Sequence, residues 1–188
     1  MENGKRINIA LICTRGGHFD QMTNLSDFYR HYNHFWITNR NKQTESQLKE
    51  ERAYYIEQAH FKKPWTYLYH VAPVLKIFRS EKPTHILSTG SGRTAFIPFL
   101  LSRLSKVEFI YVDTFSRVHG HSIFGTFLLR TGNAIFTQWE HPEDENAIYI
   151  GPIFKQEEPC NKHNDSSYIF VTVGTRIEPF IRLLKGVE

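Results

Sequence analysis

Cysteine is scarce in this chain: two in 188 residues, Cys13 inside an apolar run and Cys160 in a polar stretch. Two isolated thiols make neither a disulfide framework nor a cysteine metal site, and they suit a reducing, cytoplasmic compartment. Long apolar runs are missing too. The longest, residues 95–101, contains Pro98 and is closed by Ser102 and Arg103, well short of the roughly 18 apolar residues of a spanning helix. Residues 1–6 are polar and the apolar run behind them is short and ends in glycines, so no secretory leader is expected here. Charge is scattered: 23 Lys and Arg against 19 Asp and Glu leave +4, without the dense basic cluster of a nucleic-acid binder. No nucleic acid is therefore expected as a partner. His31, His34, His60, His70, His85 and His163 have no ligand spacing, and no metal is expected. Any membrane contact is therefore expected to be peripheral or made through a partner; the basic balance fits weak attraction to anionic lipid, at about 1 kcal/mol for each basic residue near the surface.

What the chain does hold is a core. Hydrophobic content of 40%, with 15 Phe, 9 Tyr and 3 Trp, excludes disorder and suffices for one α/β domain, or one domain and the start of another.

The organising stretch is residues 6–22, RINIALICTRGGHFDQM. Residues 7–13 have the length and β-branched content of a buried strand. Residues 14–18 read as a tight loop, and Phe19, Met22, Leu25 and Phe28 then recur as one face of a helix. Strand, glycine loop and helix together aim unpaired N–H groups and a positive dipole end at an anion. Gly16 and Gly17 let a ligand approach the main chain, and His18 stands at the mouth.

Further strands are expected at 34–38, 53–56, 84–88, 107–112, 134–138 and 147–150. Residues 39–52 read as a loop with a short helix. A helix from Pro64 stops at Lys82-Pro83, with Trp65, Leu68, Tyr69, Ala72, Leu75 and Phe78 on one face and a kink at Pro73. Helices also fit 94–104 and 122–130. Strands alternating with helices mean a parallel sheet with crossover connections, whose ligands collect at the carboxyl ends of the strands. Those ends carry Gly16, Gly17 and His18; then Ser88, Thr89, Gly90, Ser91 and Gly92; then Asp113 and Arg117; then Gln138, Trp139 and Glu140. Residues 155–167 read as a linker. Residues 168–188 begin the opening pattern again (strand, Gly174-Thr175 loop, helical start) and stop after one unit, too little to bury its own faces.

At these residues the sequence resembles a known family. GGHFDQM, ILSTGSG, VDTFSRV with SIFG, AIFTQWE and YIGPIF look like the acceptor-side subunit of two-component UDP-sugar glycosyltransferases. Its branches are the bacterial PssD type of exopolysaccharide and capsule synthesis and the membrane-anchoring subunit of the dolichol-pathway N-acetylglucosaminyltransferase. The tail IFVTVGTRIEPFIRLLKGV resembles the opening of the donor-side, family 28-like half. The resemblance implies a Rossmann-like α/β domain, the N-terminal half of a GT-B arrangement, over residues 1–154. A linker (155–167) and a truncated donor domain (168–188) would follow. It implies a lipid-linked acceptor on a polyprenyl diphosphate, and a donor-side subunit as partner. No cofactor is expected: the UDP-sugar is a co-substrate, held mainly by the donor half. The implied place is the inner face of the cell membrane. The eukaryotic branch carries an N-terminal transmembrane anchor, which is not expected here; bacterial members commonly do without one.

By the same resemblance, Gly16, Gly17, His18, Thr89, Gly90, Ser91, Gly92 and Arg117 would bind the acceptor's diphosphate or first sugar. Asp113, Gln138, Trp139, Glu140, Gly174 and Thr175 would shape the cleft or the partner interface. An inverting transfer needs a base for the attacking hydroxyl, which a histidine with pKa near 6.5 suits; His18 is the candidate. Each residue also has a plainer reading. His18 could cap its turn, residues 88–92 could be small for packing, and Asp113 could pair with Arg117 to brace a loop. Trp139 could be ordinary core, and the apolar helix at 122–130, which would suit a membrane or partner surface, could simply pack in the core.

Two functions stay open: an enzyme component active only with a donor half, and a non-catalytic scaffold recruiting that half. A dinucleotide-dependent dehydrogenase is disfavoured because the first loop lacks G-x-G-x-x-G and no acidic residue clearly ends the second strand.

Overall fold

The computed structural model describes residues 6–59, 63–90 and 92–154. The linker and donor-domain expectations, with Ser91, Gly174 and Thr175, lie outside them.

Seven strands form one all-parallel sheet in the order β3-β2-β1-β4-β5-β6-β7. β1 (Asn8–Cys13) is central, between β2 (Asn33–Thr38) and β4 (His85–Thr89). β3 (Ala53–Tyr55) closes one side; β5 (Glu108–Val112), β6 (Ile135–Thr137) and β7 (Ala147–Tyr149) extend the other. β1 is apolar without alternation because helices cover both faces of the sheet. Ala10 and Ile12 join a core with Phe35, Ile37, Val74 and Phe124. Ile9, Leu11 and Cys13 join a second core with Phe19, Met22 and Trp36.

The helix after β1 is shorter than its periodicity predicts. α1 (Gly17–Asn24) stops, and a separate turn, α2 (Ser26–Tyr29), follows Leu25. Phe28 is consequently exposed at 47%. Gly17 and His18 belong to the first turn of α1 rather than to the loop, with Gly16 (φ 81°) as its N-cap. α3 (Lys42–Gln47) is the short helix expected within 39–52, started by a reciprocal capping box of Asn41 and Thr44.

A turn of 3-10 helix (Pro64–Tyr67) leads into α4 (Leu68–Glu81), which continues through Pro73. Here the expected face is wrong. α4 buries His70, Val74 and Ile77, whereas Trp65, Leu68 and Tyr69 are 56%, 70% and 72% exposed. The first two turns of this helix are apolar on nearly every side, so periodicity alone did not choose the inward stripe. α5 (Gly92–Ser105) and α6 (Ile123–Arg130) complete the layer. α6 is mainly a core helix: Phe124 and Leu128 are buried, and Phe124 meets Tyr111 edge-on at 5.2 Å. Core packing of 122–130 holds, with Ile123 its one exposed apolar residue, at 68%.

Candidate functional site

The carboxyl ends of β1, β4 and β5 surround a cavity of about 220 Å³ lined by His18, Gly90, Arg93, Ser116, Arg117 and Ile123, among others. Three separated motifs thus meet at one place, between the first turns of α1, α5 and α6, whose leading N–H groups have no partner within their helices.

His18 is the centre of the cavity's wall. Its backbone carbonyl accepts a 2.7 Å hydrogen bond from the Thr89 hydroxyl, so Thr89 braces His18 and its hydroxyl faces inward rather than toward a ligand. The His18 ring lies against Gly90: a Cβ there would fall 2.0 Å from Nδ1. That Nδ1 is buried and has no hydrogen-bond partner among the described residues. Burial, and next the Arg93 charge, lower the His18 pKa below its usual 6.5, against an opposing pull from Asp113. The imidazole is therefore neutral near pH 7, the form able to accept a proton.

Two glycines of the second loop serve packing. Gly90 takes φ 62° and its N–H donates to the Val112 carbonyl at 2.9 Å, so that N–H is not available to an anion. Gly92 lies against Phe124, whose Cβ would be 2.5 Å from an added methyl. Gly17 differs: a Cβ there would meet no atom within 4 Å.

Arg93 escaped the sequence reading. It occupies the second position of α5, a first turn that holds no acidic residue. A cation is disfavoured at the positive end of a helix dipole, so a basic residue directly after a small-residue loop was the available signal. With Arg117 it makes the cavity cationic and suited to a group bearing more than one negative charge.

Asp113 corrects an expectation. It is 4% exposed and pairs with neither Arg117 nor a cleft. Its Oδ2 accepts from the Ser122 N–H at 3.0 Å and its Oδ1 from the Thr114 N–H at 2.8 Å. His121 stands 3.6 Å away. The carboxylate thus fixes the N-terminus of α6, where Ser122 caps the Gly125 N–H at 3.0 Å. Gln138 is also internal, at 2% exposure. Its Nε2 donates to Gln21 Oε1 at 3.1 Å and to the Asp113 carbonyl at 2.9 Å, while its Oε1 accepts from the Ile153 N–H at 3.1 Å. Trp139 packs on Phe115 at 4.9 Å and donates to its carbonyl at 2.7 Å. These residues hold the 114–117 loop, and with it Arg117; Trp139 is half-buried and Glu140 is exposed. Gln21, the strut between α1 and that loop, was not anticipated.

The fold and its sheet-edge cavity define a class: a Rossmann-like α/β domain corresponding to one half of a GT-B fold. No family model and no curated protein matches the sequence. Among solved structures, it is similar to MurG of Acinetobacter baumannii (TM-score 0.62, 11% identity), covering 77% of this chain and 45% of that one. A glycosyltransferase from Rickettsia africae gives 0.59 at 11% identity, over 78% and 43% of the chains. A UDP-N-acetylglucosamine 2-epimerase from Rickettsia bellii gives 0.58 at 13%, over 79% and 45%. The chain thus spans less than half the length of each of these proteins.

Proposed function

We propose that this chain is the acceptor-binding, membrane-recruiting component of a UDP-sugar-dependent glycosyltransferase acting on a polyprenyl-diphosphate-linked acceptor in exopolysaccharide or capsule synthesis. One observation supports it above the rest: His18, Gly90, Arg93 and Arg117, from three motifs far apart in sequence, line one cavity. Its volume suits a compact anion; whole small-molecule ligands occupy roughly 300–1,000 Å³. The fold likeness extends to epimerases, so the choice of a transferase rests on the ordered motifs and not on the likeness.

In this reading the arginines and helix starts hold the diphosphate. The neutral His18 imidazole takes the proton of the attacking hydroxyl, and a donor-side half supplies the UDP-sugar. Peripheral contact with the inner face of the membrane falls to Trp65, Leu68 and Tyr69, exposed on the turn whose Tyr67 feels the Arg93 charge.

The test supplies the chain with a donor-side subunit, UDP-sugars and short-chain prenyl-diphosphate acceptors. Transfer is expected only when both halves are present, and His18→Ala should lower it about a hundredfold or more. Near-normal transfer by that variant would make the chain a scaffold, and no transfer by any combination would refute the proposal.

A further inference from the structure

Beside the His18 cavity lies a second one of about 310 Å³, lined by Arg15, Asn39, Arg40, Tyr55, Glu57 and Gln58, with Ile56. These residues follow the carboxyl ends of β1 and β2 or lie at and after the end of β3, so both cavities open on one sheet edge. The second has a buried polar group without a partner. Asn39 is 3% exposed; its Nδ2 donates to the Ile56 carbonyl at 2.9 Å, but its Oδ1 has no donor among the described residues. A buried acceptor in that condition lacks a donor, and a hydroxyl at the cavity wall is one group that supplies it.

The remaining lining says which kind of ligand. Arg40 is already paired with Glu45 at 3.0 Å and lies 4.8 Å over the Tyr55 ring, so part of its bonding capacity is used outside the cavity. Glu57 sets a carboxylate at the rim. A phosphate would be repelled by Glu57 and, as a dianion, has no proton for Asn39. A neutral ring bearing several hydroxyls offers donors to Asn39 and Glu57 and acceptors to Arg15. The wall is held in place: His70, 2% exposed on α4, hydrogen-bonds the Glu57 backbone. The two cavities are also joined. With its amide oxygen turned toward Arg93, Gln58 accepts from both guanidinium nitrogens at 3.2 and 3.3 Å.

From this we infer that the Asn39–Glu57 cavity is a saccharide site, taking one neutral pyranose ring whose diphosphate lies in the His18 cavity. The inference rests on the acceptor reading above and names the sugar next to the diphosphate as its occupant.

Calorimetric titration of the full chain tests it, comparing methyl diphosphate with methyl-capped glucosyl, galactosyl and N-acetylglucosaminyl diphosphates. At least one sugar-bearing probe should bind tenfold or more tightly than the sugar-free one. Arg15→Ala and Glu57→Ala, both at exposed residues, should bring that advantage within twofold without weakening methyl diphosphate. Asn39→Ala should do the same. Equal affinity for all probes, with methyl diphosphate still bound, overturns the saccharide site and leaves the diphosphate reading standing. If methyl diphosphate does not bind, the acceptor reading fails. The free methyl glycosides then decide the second cavity alone: nuclear magnetic resonance shifts at the Asn39 amide and Tyr55 ring uphold it, and their absence removes it. Shifts there with inorganic pyrophosphate but not with sugars would make it an anion site and overturn the inference.

Discussion

Gly90→Ala and Gly17→Ala together separate packing from ligand approach. At Gly90 the added Cβ meets the His18 ring at 2.0 Å from Nδ1 and 2.3 Å from Cε1, and φ is +62°. The left-handed backbone costs an alanine roughly 1–2 kcal/mol, and holding the His18 ring off its rotamer adds about 0.5–1.5 kcal/mol. If the ring instead swings away, Nδ1 leaves the cavity. Gly90→Ala should therefore lose about 1.5–3.5 kcal/mol in urea unfolding and shift the His18 imidazole resonances.

Gly17 is the contrast. It is helical, and a methyl there touches no atom within 4 Å. Its alanine should be neutral or more stable by up to about 1 kcal/mol. If the anion approaches the first turn of α1, that same methyl stands in its path, and pyrophosphate affinity should fall at least tenfold in a protein more stable than the parent. Unchanged affinity would reduce Gly17 to a turn residue. A Gly90→Ala protein with parental stability and unmoved His18 resonances would refute the packing of His18 on Gly90, and with it the geometry of the cavity.

Other outcomes follow from the same contacts. Asp113→Asn weakens a buried charged cap shared by the Ser122 and Thr114 N–H groups and should cost about 1–3 kcal/mol in urea unfolding, with weaker pyrophosphate binding because the 114–117 loop loses its anchor. The His18 pKa, followed by its ring protons, should lie below 6.5 in the free protein, as its burial requires. The unfolded chain then binds more protons between the two values, so the His18 contribution to stability is present above pH 6.5 and lost as pH falls through the folded value. Pyrophosphate should raise that pKa, and by linkage bind more tightly as the pH drops; a pKa indifferent to pyrophosphate would place the anion elsewhere. Replacing Trp65, Leu68 and Tyr69 by Ala, all exposed, should leave unfolding unchanged. Since full burial of such a side chain contributes roughly 1.5–3 kcal/mol, flotation on anionic vesicles should weaken at least tenfold; equal flotation would move the membrane contact off this turn.

The sheet was legible because its strands are buried on both faces. A run such as Ile9 to Cys13 has one reading, whichever side each residue takes. Helix faces were not, because the first two turns of α4 are apolar on nearly every side. Its inward stripe was set by what could lie beneath it, the Glu57 backbone for His70 and the sheet for Val74 and Ile77. A polar residue, His70, marked the buried side, while Trp65 and Tyr69 faced outward. Amphipathic reasoning assumes the reverse.

Something similar divides the site. Motif residues at strand ends were found, but which of them face the cavity depends on hydrogen bonds that no spacing encodes. Asp113, Gln138 and Thr89 are polar, sit at the expected edge, and yet each is consumed by an internal donor or acceptor. Arg93 and Arg117 line the cavity with their charges uncommitted to any ion pair among the described residues. The site is therefore a division of labour at one sheet edge. Buried carboxylate and amides fix three loops from below, which lets two cations and a neutral imidazole stand together without a counter-ion of their own. Two like charges lining one cavity favour an anion between them. That makes pyrophosphate the sharpest probe of the whole construction: its binding should stabilise the domain, and the gain should shrink when either Arg93 or Arg117 becomes alanine. Were removal of a cation to leave the ligand's stabilisation intact, the cavity would not be its binding place.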